Sequence, residues 1–99
     1  MNRKNLIVIA RMRAKEGLEV QAKDQLIKLI APTLKEEGCI KYELHTSFTD
    51  PKDFMFYEIW TSKEALDKHG QSEHIQAFRA IRETFIDGVT DVTLWNKFL

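Results

Sequence analysis

The chain is poor in the residues that most often announce a special chemistry. It holds one cysteine, Cys39, which excludes an internal disulfide and any Cys-x-x-Cys metal or redox motif. Lying next to Gly38 at the start of an apolar alternation, Cys39 reads as a small half-buried residue rather than a reactive thiol. Four glycines, at 17, 38, 70 and 88, are too dispersed for a dinucleotide fingerprint or a phosphate-cradling loop, so no nucleotide cofactor is expected. No repeat, low-complexity tract or linker divides the chain. An excess of either charge is also missing: 15 Lys plus Arg face 15 Asp plus Glu, for a formal net charge of zero. That removes the usual electrostatic argument for nucleic acid or an anionic membrane as partner. The apolar run Leu6 to Ala10, which follows the polar Met1-Asn2-Arg3-Lys4-Asn5, falls far short of the roughly 18 residues of a membrane span and is shorter than a signal-peptide core. A cytoplasmic location is expected.

What is present is an ordinary globular composition, 43% hydrophobic, 10% aromatic and 30% charged over 99 residues, which suits one domain spanning residues 1–99. A chain this short buries only roughly 60 to 65% of the surface it exposes when unfolded. Its core is thin, and a partner subunit would help.

Leu6-Ile7-Val8-Ile9-Ala10-Arg11-Met12 is β-branched and too short for a helix, so it reads as a first strand. Leu18, Ala22, Leu26, Leu29 and Ile30 recur at spacings of three and four, which predicts an amphipathic helix over residues 18–37, bent late by Pro32 and stopped by Gly38. From Cys39 the period becomes two: Ile40, Tyr42 and Leu44 alternate with Lys41, Glu43 and His45, predicting a second strand with one covered face. Thr49-Asp50-Pro51-Lys52 turns the chain into the aromatic third strand Phe54 to Trp60. Thr61-Ser62-Lys63-Glu64 has capping-box spacing, with Thr61 as the cap of a short helix from about Ser62 to His69. Ser72 can cap a second segment carrying His74, Phe78, Ile81 and Phe85 on one face. Asp87-Gly88 should end it, and Val92, Leu94, Asn96 and Phe98 alternate as a final strand.

The order β-α-β-β-α-β is that of ferredoxin-like α+β folds, with both helices on one face of a four-stranded antiparallel sheet. Strand residues Ile7, Ile9, Met55, Tyr57 and Ile59 have the opposite parity from Val8, Ala10, Phe56, Glu58 and Trp60, so both sheet faces carry apolar side chains. The uncovered face predicts a homodimer with two sheets face to face, a dimeric α+β barrel.

The histidines, His45, His69 and His74, form no His-Glu-x-x-His motif. On an unbroken helix His69 and His74 would lie about 140 degrees apart, so no metal site is expected, although a break at Gly70 could rotate the rings together. His74 shares an apolar helix face with Phe78, Ile81 and Phe85, where a ring titrating near neutral pH serves as general base or hydrogen-bond donor. The alternative is a histidine satisfied within the core. Glu58 has the parity of Phe56 and Trp60 and is aimed at the same layer, where a carboxylate needs a partner such as His74 or Arg79. Trp60 and Phe78 suit a core equally well as the flat walls of an aromatic-ligand site.

The segment Glu36-Glu37-Gly38-Cys39-Ile40-Lys41-Tyr42-Glu43-Leu44, then Phe56-Tyr57-Glu58-Ile59-Trp60, then Ala65-Leu66-x2-His69-x4-His74-Ile75-x2-Phe78 resembles the antibiotic biosynthesis monooxygenase domain over nearly the whole chain. The resemblance implies a ferredoxin-like protomer in a dimeric barrel. Similar domains include small quinol monooxygenases, haem-degrading enzymes and a quorum-signal isomerase. The haem-degrading branch uses an Asn late in strand one and a Trp and a His on the second helical region, positions that hold Ala10, His69 and Arg79 here, so haem is not expected. The likeness to the quinol-oxidising branch implies a cofactor-independent oxidation of a small quinol or polyphenol by molecular oxygen. It implies His74 as first choice for base or anion stabiliser, His69 as second, Glu58 as the group orienting the histidine, and Tyr57, Trp60 and Phe78 as pocket walls. A non-catalytic aromatic-ligand binding or accessory module is the alternative. An RNA-binding domain shares the element order, but the Lys/Arg-Gly-aromatic signature and a basic surface are missing.

Overall fold

The β-branched run that follows Asn5 forms β1 (Leu6–Ala14) in the computed structural model, which describes residues 5–99; the polar Met1-Asn2-Arg3-Lys4 lead lies outside the described residues. After it come α1 (Glu19–Ile27), α2 (Ile30–Leu34), β2 (Cys39–Thr46), β3 (Asp53–Trp60), α3 (Lys63–Gly70), α4 (Glu73–Phe85) and β4 (Ile86–Asn96). The four strands make one sheet in the order β2-β3-β1-β4, with every neighbouring pair antiparallel. This is the ferredoxin-like α+β arrangement expected from the element order. Val8, Ala10, Met12, Tyr42, Phe54, Phe56 and Trp60 from the sheet are buried with Ala22, Leu26, Leu29, Ile75 and Phe78 from the helical layer. No helix among the described residues is long and apolar enough to cross a membrane.

Several local expectations are corrected. The first helix is not continuous over 18–37: it breaks at Lys28 and Leu29, and Pro32 lies inside α2. A proline ring clashes with the carbonyl four residues earlier, here that of Lys28, so the interruption falls a turn upstream of the proline. Gly38 lies beyond the end of α2 and takes a positive φ of 88° in the turn leading to β2. Ile40 does not join Tyr42 on the covered face, because a register shift between Cys39 and Lys41 makes it the extra residue of a bulge, 49% exposed. The cap of α3 is Ser62 rather than Thr61, its side chain accepting from Ala65 N at 3.1 Å.

At the other end Ser72 caps α4 as expected. The chain then enters β4 directly from Phe85, and Asp87-Gly88 lies within that strand rather than in a turn before it. A second register shift opposite Arg11 and Arg13 absorbs the extra residues. Arg82 holds the bulged segment by donating to Gly88 O at 2.8 Å and to Thr90 Oγ1 at 2.8 Å. Phe98 falls past the end of the strand and is exposed.

Candidate functional site

Between α3 and α4, Gln71 and Ser72 interrupt what would otherwise be one helix. Ser72 is extended, with φ −65° and ψ 153°, and its hydroxyl donates to the carbonyl of His69 at 2.7 Å. The break swings His74 back towards His69, and both rings meet one carboxylate oxygen. Glu36 Oε2 lies 2.7 Å from His69 Nδ1 and 2.8 Å from His74 Nε2. Glu36 reaches this point from the turn between α2 and β2.

An ionised carboxylate only accepts hydrogen bonds, so each of those ring nitrogens carries the proton it donates. His69 is thereby held with Nδ1 protonated and Nε2 bearing the lone pair. Burial lowers the pKa of His69 below the ordinary imidazole value, opposed in part by the hydrogen bond and charge of Glu36. The ring is therefore neutral at pH 7 and able to accept a proton. Glu36, His69 and His74 also place one donor atom each within 4.8 Å of one another, a two-histidine, one-carboxylate set with the donor types that hold divalent transition metals. The sequence spacing argued against such a set only while the helix was taken as unbroken.

Beside this cluster a cavity of about 510 Å³ lies between the sheet and the α3–α4 layer, within the usual size of small-molecule sites. Its apolar walls include Val8, Ala10, Tyr42, Phe56, Ile75 and Phe78, with Tyr42 stacked on Phe56 at 4.6 Å between ring centroids. Glu58, His69, Arg79, Arg82 and Thr90 are polar groups on the same lining. Glu58 is 4% exposed, and its Oε1 accepts from Trp60 Nε1 at 2.9 Å. Burial pushes its pKa up to about 7, more than the indole hydrogen bond offsets. Burial likewise raises the Tyr42 phenol, which stays neutral. The Cys39 thiol is pushed up to about 11 by burial and by the charges of Glu36 and Glu58, so at neutral pH it is an inert thiol.

Of the residues singled out in the sequence, His69, Glu58, Phe78 and Arg79 line the cavity. His74 does not: its ring turns to Glu36 behind His69. Trp60 is fully buried, backing the site through its bond to Glu58 and its packing on His69 at 4.8 Å. Tyr57 pairs with Ile9 on the opposite sheet face, since neighbouring strand residues point to opposite sides; it is not a wall of this cavity. The partner of Glu58 is neither His74 nor Arg79 but Trp60, its neighbour two residues on. Glu36 is likewise the residue that orients the histidines, in place of Glu58. Sequence reasoning missed Glu36, Tyr42 and Arg82. For Tyr42 and Arg82 a signal existed, in strand parity and in the helical spacing of Ile75, Phe78, Arg79 and Arg82; for Glu36 nothing local separates it from Glu37. Ala10, His69 and Arg79, the positions compared with the haem-degrading branch, all line the cavity.

The sequence model of the antibiotic biosynthesis monooxygenase family matches residues 5–81, from β1 into α4. A Synechocystis protein, "Uncharacterized protein sll1783", is 37% identical over 49 residues, which make up 50% of this chain and 33% of that protein; the match spans about a third of that relative's length. "Putative monooxygenase Rv0793" of Mycobacterium tuberculosis is 34% identical over 73 residues, 74% of this chain and 71% of that protein. The solved structure of Rv0793 superposes with a TM-score of 0.87 at 29% identity, covering 95% of each chain. PA3566 from Pseudomonas aeruginosa superposes with a TM-score of 0.92 at 27% identity, over 97% of this chain and 96% of that one.

Proposed function

The chain belongs to the antibiotic biosynthesis monooxygenase family, and from that premise we propose that it is a homodimeric monooxygenase oxidising a small quinol or related polyphenol with molecular oxygen. The observation that carries this reading is the placement of His69. It lines an aromatic-walled cavity while Glu36 engages Nδ1, leaving Nε2 as the basic nitrogen available to a bound phenol.

A quinol against Tyr42, Phe56 and Phe78 gives one hydroxyl proton to His69 Nε2, and Glu36 stabilises the resulting imidazolium. The phenolate ring is then electron-rich enough to reduce oxygen directly. A bond forms between a ring carbon and one oxygen atom, the O–O bond breaks, and the second oxygen atom leaves as water. Hydroquinone and dioxygen thus become hydroxybenzoquinone and water, with four electrons passing from ring to oxygen and no outside reductant required. Glu58, partly protonated at neutral pH, hydrogen-bonds a ring oxygen and stabilises its developing charge.

Oxygen uptake with a panel of quinols tests this. His69→Gln should lose about 100-fold to 10,000-fold in rate, the usual effect of removing a positioned base. Glu36→Gln and His74→Gln, which act through His69, should lose on the order of tenfold. Full activity in His69→Gln, with an inactive His74→Gln, would reverse the assignment. If no quinol drives oxygen uptake, the monooxygenase reading gives way to that of an aromatic-ligand binding module.

A further inference from the structure

Ile75, Phe78, Arg79 and Arg82 follow one another on a single stripe of α4, and all four line the cavity. The first two are buried and apolar, the last two cationic. Neither arginine has a carboxylate within 4.0 Å among the described residues. Arg79 Nη1 donates to Gly70 O at 2.9 Å. Arg82 gives Nε and Nη2 to Thr90 Oγ1 and Nη2 to Gly88 O. These acceptors are neutral, whereas the two described arginines on β1 are paired: Arg13 with Asp50 at 2.9 Å and Arg11 with Asp53 at 3.6 Å.

The acids of the same lining do not answer these cations. Asp67 is held by Lys63 Nζ at 2.6 Å, and Glu58 is engaged by Trp60. Arg79 Nη2 and Arg82 Nη1 make no protein hydrogen bond among the described residues. Thr90, accepting from Arg82, still has its own hydroxyl hydrogen to give. A cavity with an apolar floor, two guanidinium forks without acids and a spare hydroxyl is complementary to an aromatic ring that carries a planar anion.

We propose that the substrate is a dihydroxylated aromatic carboxylic acid, its carboxylate held by Arg79 and Arg82 while a ring hydroxyl meets His69. This rests on the quinol-oxidising reading and narrows its substrate class. The carboxylate is a spectator to the oxidation, so the balance given above is unchanged.

The test is calorimetric binding without oxygen, comparing 2,5-dihydroxybenzoate with its methyl ester and with hydroquinone. The acid should bind about tenfold or more tightly than either neutral ligand, as expected for one or two charge-assisted hydrogen bonds, and the gap should shrink as salt rises. Arg79→Gln should remove most of the gap, and Arg79→Lys should retain part of it. Arg82→Gln forms a second arm, checked for folding by circular dichroism because Arg82 also ties β4. The methyl ester comparison needs no variant. Equal affinities for acid and ester, a preference that survives both glutamine variants, or no binding of the acid at millimolar concentration would each overturn the proposal. Oxygen uptake with the same ligands separates the two readings. Preferential binding of the acid without turnover keeps the carboxylate site on Arg79 and Arg82 and removes the monooxygenase. Turnover of hydroquinone with no preference for the acid does the reverse.

Discussion

Glu58 stands on β3 between Phe56 and Trp60, where an apolar side chain would carry no charge to desolvate but would leave the Trp60 indole without its acceptor. In the folded chain its pKa is about 7, against an ordinary 4.5. Between those values the folded state keeps a proton that the unfolded state has lost, so stability falls as pH rises through this window and stays reduced above it. The difference, about 7 minus 4.5, corresponds to about 3 kcal/mol in order of magnitude. Glu58→Gln can still accept from the Trp60 indole and carries no charge to desolvate. It should stabilise the protein by roughly 1 to 3 kcal/mol at pH 8 and change little near pH 4.5, as read from urea unfolding at both values. Equal effects at the two pH values would contradict the assignment. Catalysis adds an independent check. In the mechanism proposed above, neutral His69 and protonated Glu58 together would give a bell-shaped rate profile, falling on the acid side as His69 is protonated and on the alkaline side as Glu58 ionises near pH 7. Glu58→Gln should remove the alkaline limb only.

The turn between α2 and β2 positions Glu36, and Gly38 is its least replaceable residue. At φ +88° an added Cβ would lie 2.5 Å from the Ala65 Cβ and 2.8 Å from Thr61 Oγ1. The Gly38 carbonyl also accepts from Thr61 N at 2.9 Å, docking the start of β2 against the start of α3. Gly38→Ala should therefore cost about 2 to 4 kcal/mol, combining left-handed strain with a backbone shift. Gly17 has a similar φ of +79° and nothing within 4 Å of a built Cβ, so Gly17→Ala should cost only about 1 kcal/mol. Denaturant midpoints of the two variants measure the contrast. A Gly38→Ala no worse than Gly17→Ala would show that the close approach to Ala65 is not tight in solution. Any folded Gly38→Ala should also lose the proposed quinol oxidation, because Glu36 moves with the turn.

For the molecule as a whole, the sheet face away from the helices carries Ile7, Ile9, Met55, Tyr57 and Ile59, with Trp95 beside Ile7 and 54% exposed. A second copy of this chain laid on that face would bury it and form the barrel. Sedimentation at micromolar concentration should give about twice the 11.6 kDa chain mass. Ile59→Lys, on an inner strand of that face and paired with Ile7, should give monomer, since an unpaired ammonium buried between two sheets is strongly unfavourable. A wild-type monomer would contradict the barrel, and an unaltered mass in Ile59→Lys would place the contact elsewhere.

The expected α4 face of His74, Phe78, Ile81 and Phe85 does not hold throughout, since Ile81 is 39% exposed while Ile75 is buried. The sequence alone determined the order of elements, the antiparallel ferredoxin-like class, and the inward parity of Phe56, Glu58 and Trp60. Each of these is a periodicity of two or 3.6 within a single segment, legible because backbone geometry repeats locally. Tertiary structure decided what those periods cannot carry. The bulge that turns Ile40 outward depends on pairing with β3, and the break at Ser72 changes the phase between His69 and His74. Which histidine faces the cavity follows from Glu36, 33 and 38 positions away from the two rings it holds. Contacts across such separations are set by how the layers pack, and one side chain's helical phase does not encode them.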